Sequence, residues 1–374
     1  MGAAVNDHQP VRPMTLRLAF SLSVRLGIAS LLVACGGSDG GTAPPPGATT
    51  GSLSVAISGL PSDVTGSIVV TGPSGYTSTA AAAQTLAALT PGTYTLTPSA
   101  ATDRGIGYSA PVSTVTVSAG GTATGTGTYA QKLLPRSLTN RADITALPRL
   151  KVIYALPSDG VDRGFDTTGT LHKSLSSGQR WLAGQTANRY IRYDAADGAL
   201  DITFVRLPRT DAAYYSYNGL IRDSIEKDLR AAGWTQANVL LLAYYDGRHI
   251  DRCASAAWPP GYPGTLGAVY LKGAPNSAGP CAGNAFAASP TAAPGYLDFV
   301  AVHEVFHLLG LVSTGAPNQA LSGHVGNDPT DLMYAGTLAW RPATVDVTKT
   351  NYYSNTGLAA GVTNFKDSPY VVTP

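Results

Sequence analysis

Two patterns of apolar and polar residues divide this chain. Over residues 52–130 they alternate one by one, as at Leu53, Val55 and Ile57, at Tyr94 and Leu96, and at Val115 and Val117. A period of two puts each set on one face of a strand. Gly72-Pro73, Pro91-Gly92 and Gly120-Gly121 separate these runs as turns. Short strands at such spacing predict a small all-β sandwich. From about Leu150 the pattern changes. Apolar runs at 151–156, 189–193, 200–205, 239–244 and 266–271 predict strands. Between them, 172–187, 218–232 and 297–309 predict helices; Leu220, Ile221, Ile225 and Leu229 have helical spacing and stop at Gly233. Strands alternating with helices predict an α/β domain over 150–374, built on one mixed sheet.

The ends and joints follow from composition. Arg12, Arg17 and Arg25 precede an apolar run at 26–33, and Cys35 comes directly after Leu32, Val33 and Ala34. A basic segment, a short apolar segment and a small residue at the cut predict a secretory leader over 1–34. Met14 is a second candidate start. The Cys after Leu-Val-Ala resembles a bacterial lipoprotein signal, which implies lipidation of Cys35 and attachment to the cell envelope. Gly36 in the next position favours the outer membrane or cell surface over the inner membrane. Residues 35–51 are rich in Gly, Ser, Thr and Pro and predict a flexible tether, and 131–149 predict a second linker. The stretch from Leu89 to Leu96 resembles a turn and strand of immunoglobulin-like and transthyretin-like accessory domains. It offers no histidine and few charges, so a spacer is expected.

Charge narrows the partners. The net charge is +2 and only 13% of residues are charged, without a basic stripe, so no nucleic-acid partner is expected. A monomer is expected. Of three Cys, lipid on Cys35 leaves Cys253 and Cys281, which in an exported chain are expected to form a disulfide. His249 lies near Asp246 and Asp251, but a solvated loop is the expectation there. Residues 349–374 are Tyr-rich and are expected to pack against the last domain.

The chemistry concentrates at His303-Glu304-Val305-Phe306-His307. On a helix, positions i and i+4 share a face, so both imidazoles can reach one metal, and Glu304 beside it can take a proton from water. The chain has six His and only two Glu, Glu226 and Glu304. Shuffling would produce this spacing with a probability of roughly 5×10⁻⁴.

Read outward, His303-Glu-x-x-His307-x-x-Gly310 followed by Asp331-Leu332-Met333-Tyr334 resembles the metzincin zinc metallopeptidases. The resemblance covers about 150–374 and implies a metzincin-like α/β fold and one catalytic Zn²⁺. It further implies a Met-turn at Met333 and a protein or peptide substrate. The family's third ligand would fall at Ser313, a poor zinc ligand. His324 is expected in its place, with Asp328 as the alternative, across an inserted loop at 313–323. Glu304 is the expected general base. Asp331 is expected to brace the turn, and Tyr334, or else Tyr352 or Tyr353, to assist the oxyanion. The resemblance also implies that 266–271 is the edge strand of the cleft. The expected function is a surface-anchored zinc endopeptidase; the alternative is an adhesion or binding lipoprotein with an inactive metallopeptidase-like domain.

Overall fold

The computed structural model describes residues 47, 49–142, 145–273 and 286–373. The leader, Cys35 and Cys281 lie outside these residues; Cys253 is disulfide-bonded.

The period-two segments form two facing sheets. Gly51–Ser58 lies between Gln84–Leu89 and Thr122–Thr128, and Ile68–Thr71 lies between Thr77–Ala80 and Gly92–Pro98, which also pairs with Ser113–Val117. Leu53, Val55, Ile68, Val70, Tyr94 and Leu96 share one core. Tyr94 is buried there, and its hydroxyl donates to Thr90 O at 2.9 Å, which satisfies its polar end. A third small sheet, Ala101–Asp103, Ile106–Ser109 and Ala130–Gln131, leads toward the second half of the chain. Ile106 is buried in that half's core.

The expected linker at 131–149 is tied down along much of its length. Gln131 Nε2 donates to Ser176 Oγ at 2.6 Å, Arg136 meets Asp166 at 2.6 Å, and Ser137 bridges to Thr203. Arg180 on the helix Thr170–Gln185 reaches back to Asp103 at 2.9 Å and Asp63 at 2.5 Å. The N-terminal sheets therefore dock on the second half.

The second half is organised by one five-stranded sheet. Its order is Ile202–Arg206, Arg149–Leu156, Val239–Tyr245, Tyr262–Tyr270 and Ala254–Trp258. Neighbours pair in parallel except the last, which is antiparallel. Alternation along Arg149–Leu156 sends Val152 and Tyr154 to one face and Ile153 and Ala155 to the other. The first face packs against Leu171, Leu175, Val305 and Phe306, the second against Ile221, Ile225 and Leu229. Lys151 interrupts this strand yet is buried, because Asp194 at 3.1 Å and Asp201 neutralise it.

The expected fold class does not hold. The described residues are mainly β, with 21 strands against four α-helices, and not the metzincin-like α/β catalytic domain behind an immunoglobulin- or transthyretin-like sandwich that was expected. The reason is local. Beyond Leu309 the described residues contain no α-helix. Apolar residues there come in short groups of two or three, such as Leu311-Val312, Leu332-Met333-Tyr334 and Tyr352-Tyr353, cut apart by Gly, Pro, Asp, Asn and Thr, which leaves no helical stripe. That segment closes instead through short bridges and turns. Strand assignments shift with it. The predicted strand at 189–193 is only Tyr190–Ile191, which pairs with Val371–Val372; its end meets the central sheet through a single bridge from Tyr193 to Leu150. The stretch 266–271 is not the edge either. The edge is Ala254–Trp258, whose Ala and Ser residues carry little strand propensity of their own.

Candidate metal centre

The helix Tyr296–Leu308 is apolar around its whole circumference apart from Asp298, His303, Glu304 and His307. Such a helix is buried on all sides, so each polar residue on it needs a partner or a task. Asp298 has partners. Its carboxylate accepts from Gly295 N and Ala287 N, both at 2.7 Å, and from Ser174 Oγ on the neighbouring helix. This closes the helix start with a negative charge where the dipole favours one. Beneath the helix, Gly267 keeps the sheet close: a Cβ there would lie 3.4 Å from the Cβ atoms of both Glu304 and Ala256.

The helix ends by a sharp reversal. Gly310 has φ +68°, its N–H donates to His307 O at 2.8 Å, and Leu311 N donates to Phe306 O at 3.1 Å. Glycine adopts this left-handed turn without steric cost. Trp258 Nε1 then anchors the departing chain at Leu311 O, 2.8 Å away. Ser313 does not turn back to the helix face: its hydroxyl accepts from Thr363 N at 2.9 Å. The chain returns as a hairpin, Gln319–Leu321 against His324–Val325, with Leu321 opposite His324 and a turn at Ser322 and Gly323.

This hairpin brings the third imidazole to the helix. The Nε2 atoms of His303, His307 and His324 form a triangle with sides of 3.0, 3.1 and 3.2 Å. Ligands about 2.0–2.1 Å from a tetrahedral zinc would lie about 3.3 Å apart, so the spacing fits within a few tenths of an ångström. The tautomers point the same way. His303 Nδ1 faces Leu332 O at 2.7 Å, and His324 Nδ1 faces Ser322 O at 2.9 Å. A carbonyl only accepts, so both Nδ1 atoms carry hydrogen and both Nε2 atoms present bare lone pairs. Two lone pairs 3.2 Å apart repel unless a cation lies between them. Burial, reinforced by His324, pulls His303 down to about 3, and burial lowers His307 and His324 as well. Neutral imidazoles are the form that binds metal.

Glu304 is also buried. Its Oε2 has no hydrogen-bond partner among the described residues, and burial pushes the carboxyl up to about 8. A cation held next door would favour its ionised form.

The turn at 331–334 supports the triangle through its backbone. Leu332 O fixes the His303 ring. Asp331 Oδ1 accepts from Met333 N at 2.8 Å and Tyr352 OH at 2.5 Å, and its Oδ2 accepts from Val347 N at 2.9 Å. Val325 N donates to Met333 O at 3.0 Å, so the strand carrying His324 is joined directly to this turn. Met333 is fully buried in the same core as the helix. Asp328 lies apart from the triangle; its Oδ1 accepts from Thr330 N at 2.8 Å and Thr330 Oγ at 2.7 Å. The three tyrosines are engaged elsewhere. Tyr334 OH accepts from Leu338 N, Tyr352 OH donates to Asp331, and Tyr353 OH donates to Asn355. The expected solvated loop at His249 is instead buried: His249 is inaccessible and packs on Tyr270 with ring centroids 4.5 Å apart, while Asp246 holds Arg163 and Tyr154.

Sequence reasoning did not find Trp340, Trp258, Gly323 or the Leu332 carbonyl. Trp340 packs edge-on against His303 at 5.5 Å and donates to Asp331 O at 3.0 Å. Gly323 has φ +73°, and a Cβ there would fall 2.6 Å from His307 Nδ1. Gly323→Ala is expected to weaken zinc binding by about 10–100-fold, the cost of misorienting a ligand, as read by competition with a chromogenic chelator. Gly315→Ala is the control: its φ is +95° but nothing lies within 4 Å, so it carries backbone strain without the clash and should keep wild-type affinity.

No family profile and no curated protein matches the chain. Among the solved structures that resemble parts of it are two of different kinds. One is GBS52, the minor pilin of Streptococcus agalactiae, with 15% identity over 25% of this chain and a TM-score of 0.20. The other is a chaperone–substrate complex, with 13% identity over 53% of this chain and a TM-score of 0.24. The chain spans 50% of the pilin and 30% of the second protein. Both likenesses are too distant to carry an argument, and the site's own geometry must carry the function.

Proposed function

We propose that this chain is a zinc-dependent endopeptidase, anchored at the cell surface by lipid on Cys35. The observation that carries the reading is the convergence of three imidazole Nε2 atoms within 3.2 Å beside a buried carboxylate with one oxygen unpartnered among the described residues. His303, His307 and His324 would hold the ion, and three protein ligands leave a position open, as catalytic zinc requires. Zinc supplies Lewis acidity, polarising a carbonyl and making water a stronger acid at neutral pH. Glu304 accepts the proton of the attacking water and returns it to the leaving amine. The Leu332 and Ser322 carbonyls hold two rings in the tautomer that keeps Nε2 free for the ion. Among the described residues the strand Ala254–Trp258 has one unpaired side in the sheet, and an extended peptide can add to it by backbone hydrogen bonds. The motif resemblance to metzincins supports the activity.

The test is direct. Purified protein, stripped with chelator and reloaded, is expected to take up about one zinc per chain and to cleave casein, with activity lost on stripping and restored by zinc. Protein that binds no stoichiometric zinc would overturn the reading. Zinc-loaded protein that leaves casein and short peptides intact would favour the adhesion lipoprotein.

A further inference from the structure

One cation beside the metal helix is placed for recognition and has no part in the proposed chemistry. Arg252 directly precedes the disulfide-bonded Cys253, and its side chain is 51% exposed. The ladder of the edge strand runs on past Ala254, since Tyr270 N donates to Cys253 O at 2.8 Å. Residues two apart share a face, so Arg252 belongs with Ala254 and Ala256. That is the face under the metal helix: Ala256 pairs with Gly267, over which Glu304 packs. The charge of Arg252 is felt at both Glu304 and His324.

The guanidinium is also held in position. Its Nε and Nη2 meet the two oxygens of Asp251 at 2.9 and 3.2 Å. Asp251 Oδ1 lies 3.1 Å from Nδ1 of the buried His249, which packs on Tyr270. This buttress leaves Nη1 without a hydrogen-bond partner among the described residues. Arg222, the other cation whose charge reaches Glu304, is buried and paired with Glu226 at 2.6 Å and with Asp223. A peptide lying along the edge strand therefore meets one positioned, accessible guanidinium, which matches a carboxylate by charge and by its planar fork.

We propose that Arg252 is a specificity residue that binds a carboxylate of the peptide substrate. The proposal rests on the peptidase reading above. The carboxylate can come from an acidic side chain or from a free chain end, and the experiment separates the two. A fluorogenic peptide cleaved by the zinc-loaded protein is varied by Glu/Gln exchange at each position and by a free or amidated C-terminus. One exchange is expected to change kcat/KM by about tenfold or more in favour of the carboxylate. A side-chain exchange identifies the first source, and the amidated end the second. In Arg252→Ala the ratio for that exchange falls to near one, and Arg252→Lys retains part of it. Zinc content and circular dichroism show whether each variant is folded. A wild-type ratio near one at every exchange, or a ratio that survives in folded Arg252→Ala, overturns the proposal. If the wild type cleaves no peptide, the peptidase reading fails by itself. Binding of the same labelled peptides to zinc-loaded protein, read by fluorescence anisotropy, then decides. A tenfold preference lost in Arg252→Ala supports the carboxylate site, and equal binding sinks it.

Discussion

Replacing Glu304 by Gln is expected to lower kcat/KM for peptide hydrolysis by about 10²–10⁴-fold, the usual contribution of a general base, with zinc uptake unchanged. The expectation follows from what Glu304 touches. Its Oε2 has no partner among the described residues, so the amide breaks no hydrogen bond seen there. Its volume is conserved, so the contact of its Cβ with the sheet at Gly267 persists. What is lost is the ability to accept a proton. Metal analysis and steady-state kinetics on one preparation check this. Full activity in the variant would remove Glu304 from the mechanism, and loss of zinc would make it a ligand.

The second large effect concerns the third ligand. His324→Ala is expected to lower zinc affinity by more than the 10–100-fold that a lost supporting partner costs, and to abolish activity at low zinc. Asp328→Asn is expected to keep both. The two residues are four apart in sequence but differ in environment. His324 Nε2 lies 3.1–3.2 Å from the two other imidazoles, whereas the Asp328 carboxylate is engaged by Thr330. Isothermal titration of stripped protein with zinc separates the cases. Tight zinc binding by His324→Ala would move the third ligand elsewhere.

The parts of the site that were legible from sequence are those set by spacing along one helix. His303 and His307 are four apart, and helical geometry alone puts them on one face. Gly310 was legible for a similar reason, since a left-handed turn after a helix favours glycine. His324 was legible only by elimination of Ser313. What carries it to the triangle is a hairpin whose turn residue, Gly323, must pass within 2.6 Å of His307 Nδ1 as measured from an added Cβ. No sequence pattern marks that approach. The groups that orient His303 and His324 are the Leu332 and Ser322 carbonyls, which every residue possesses. Asp331 was expected to brace its turn, but its link to Tyr352 depends on a fold-back from 21 residues downstream.

The fold was legible unevenly. Strict alternation, as in Leu53 to Ile57, marks a strand with one buried face. The edge strand Ala254–Trp258 carries no such signal, because its Ala-rich sequence has little strand propensity. Its place is decided by pairing with Tyr262–Tyr270, and the edge expected at 266–271 went to the interior as a result. The expected α/β class failed in the same way. Local apolar runs were readable as elements, but after Leu309 turns and short bridges decide the path. No sequence pattern marks Arg252; the register of that edge places it.

By itself, the amino-acid sequence determined the pair of imidazoles, the carboxylate between them and the helix that presents all three, because these depend on a repeat of 3.6 residues within one segment. Only the tertiary structure decided which residue completes the triangle, which carbonyls set the tautomers and which strand ends the sheet beside the helix. Those depend on contacts between segments far apart in the chain, where hydrogen bonding and close packing, and not local periodicity, select among several possible partners.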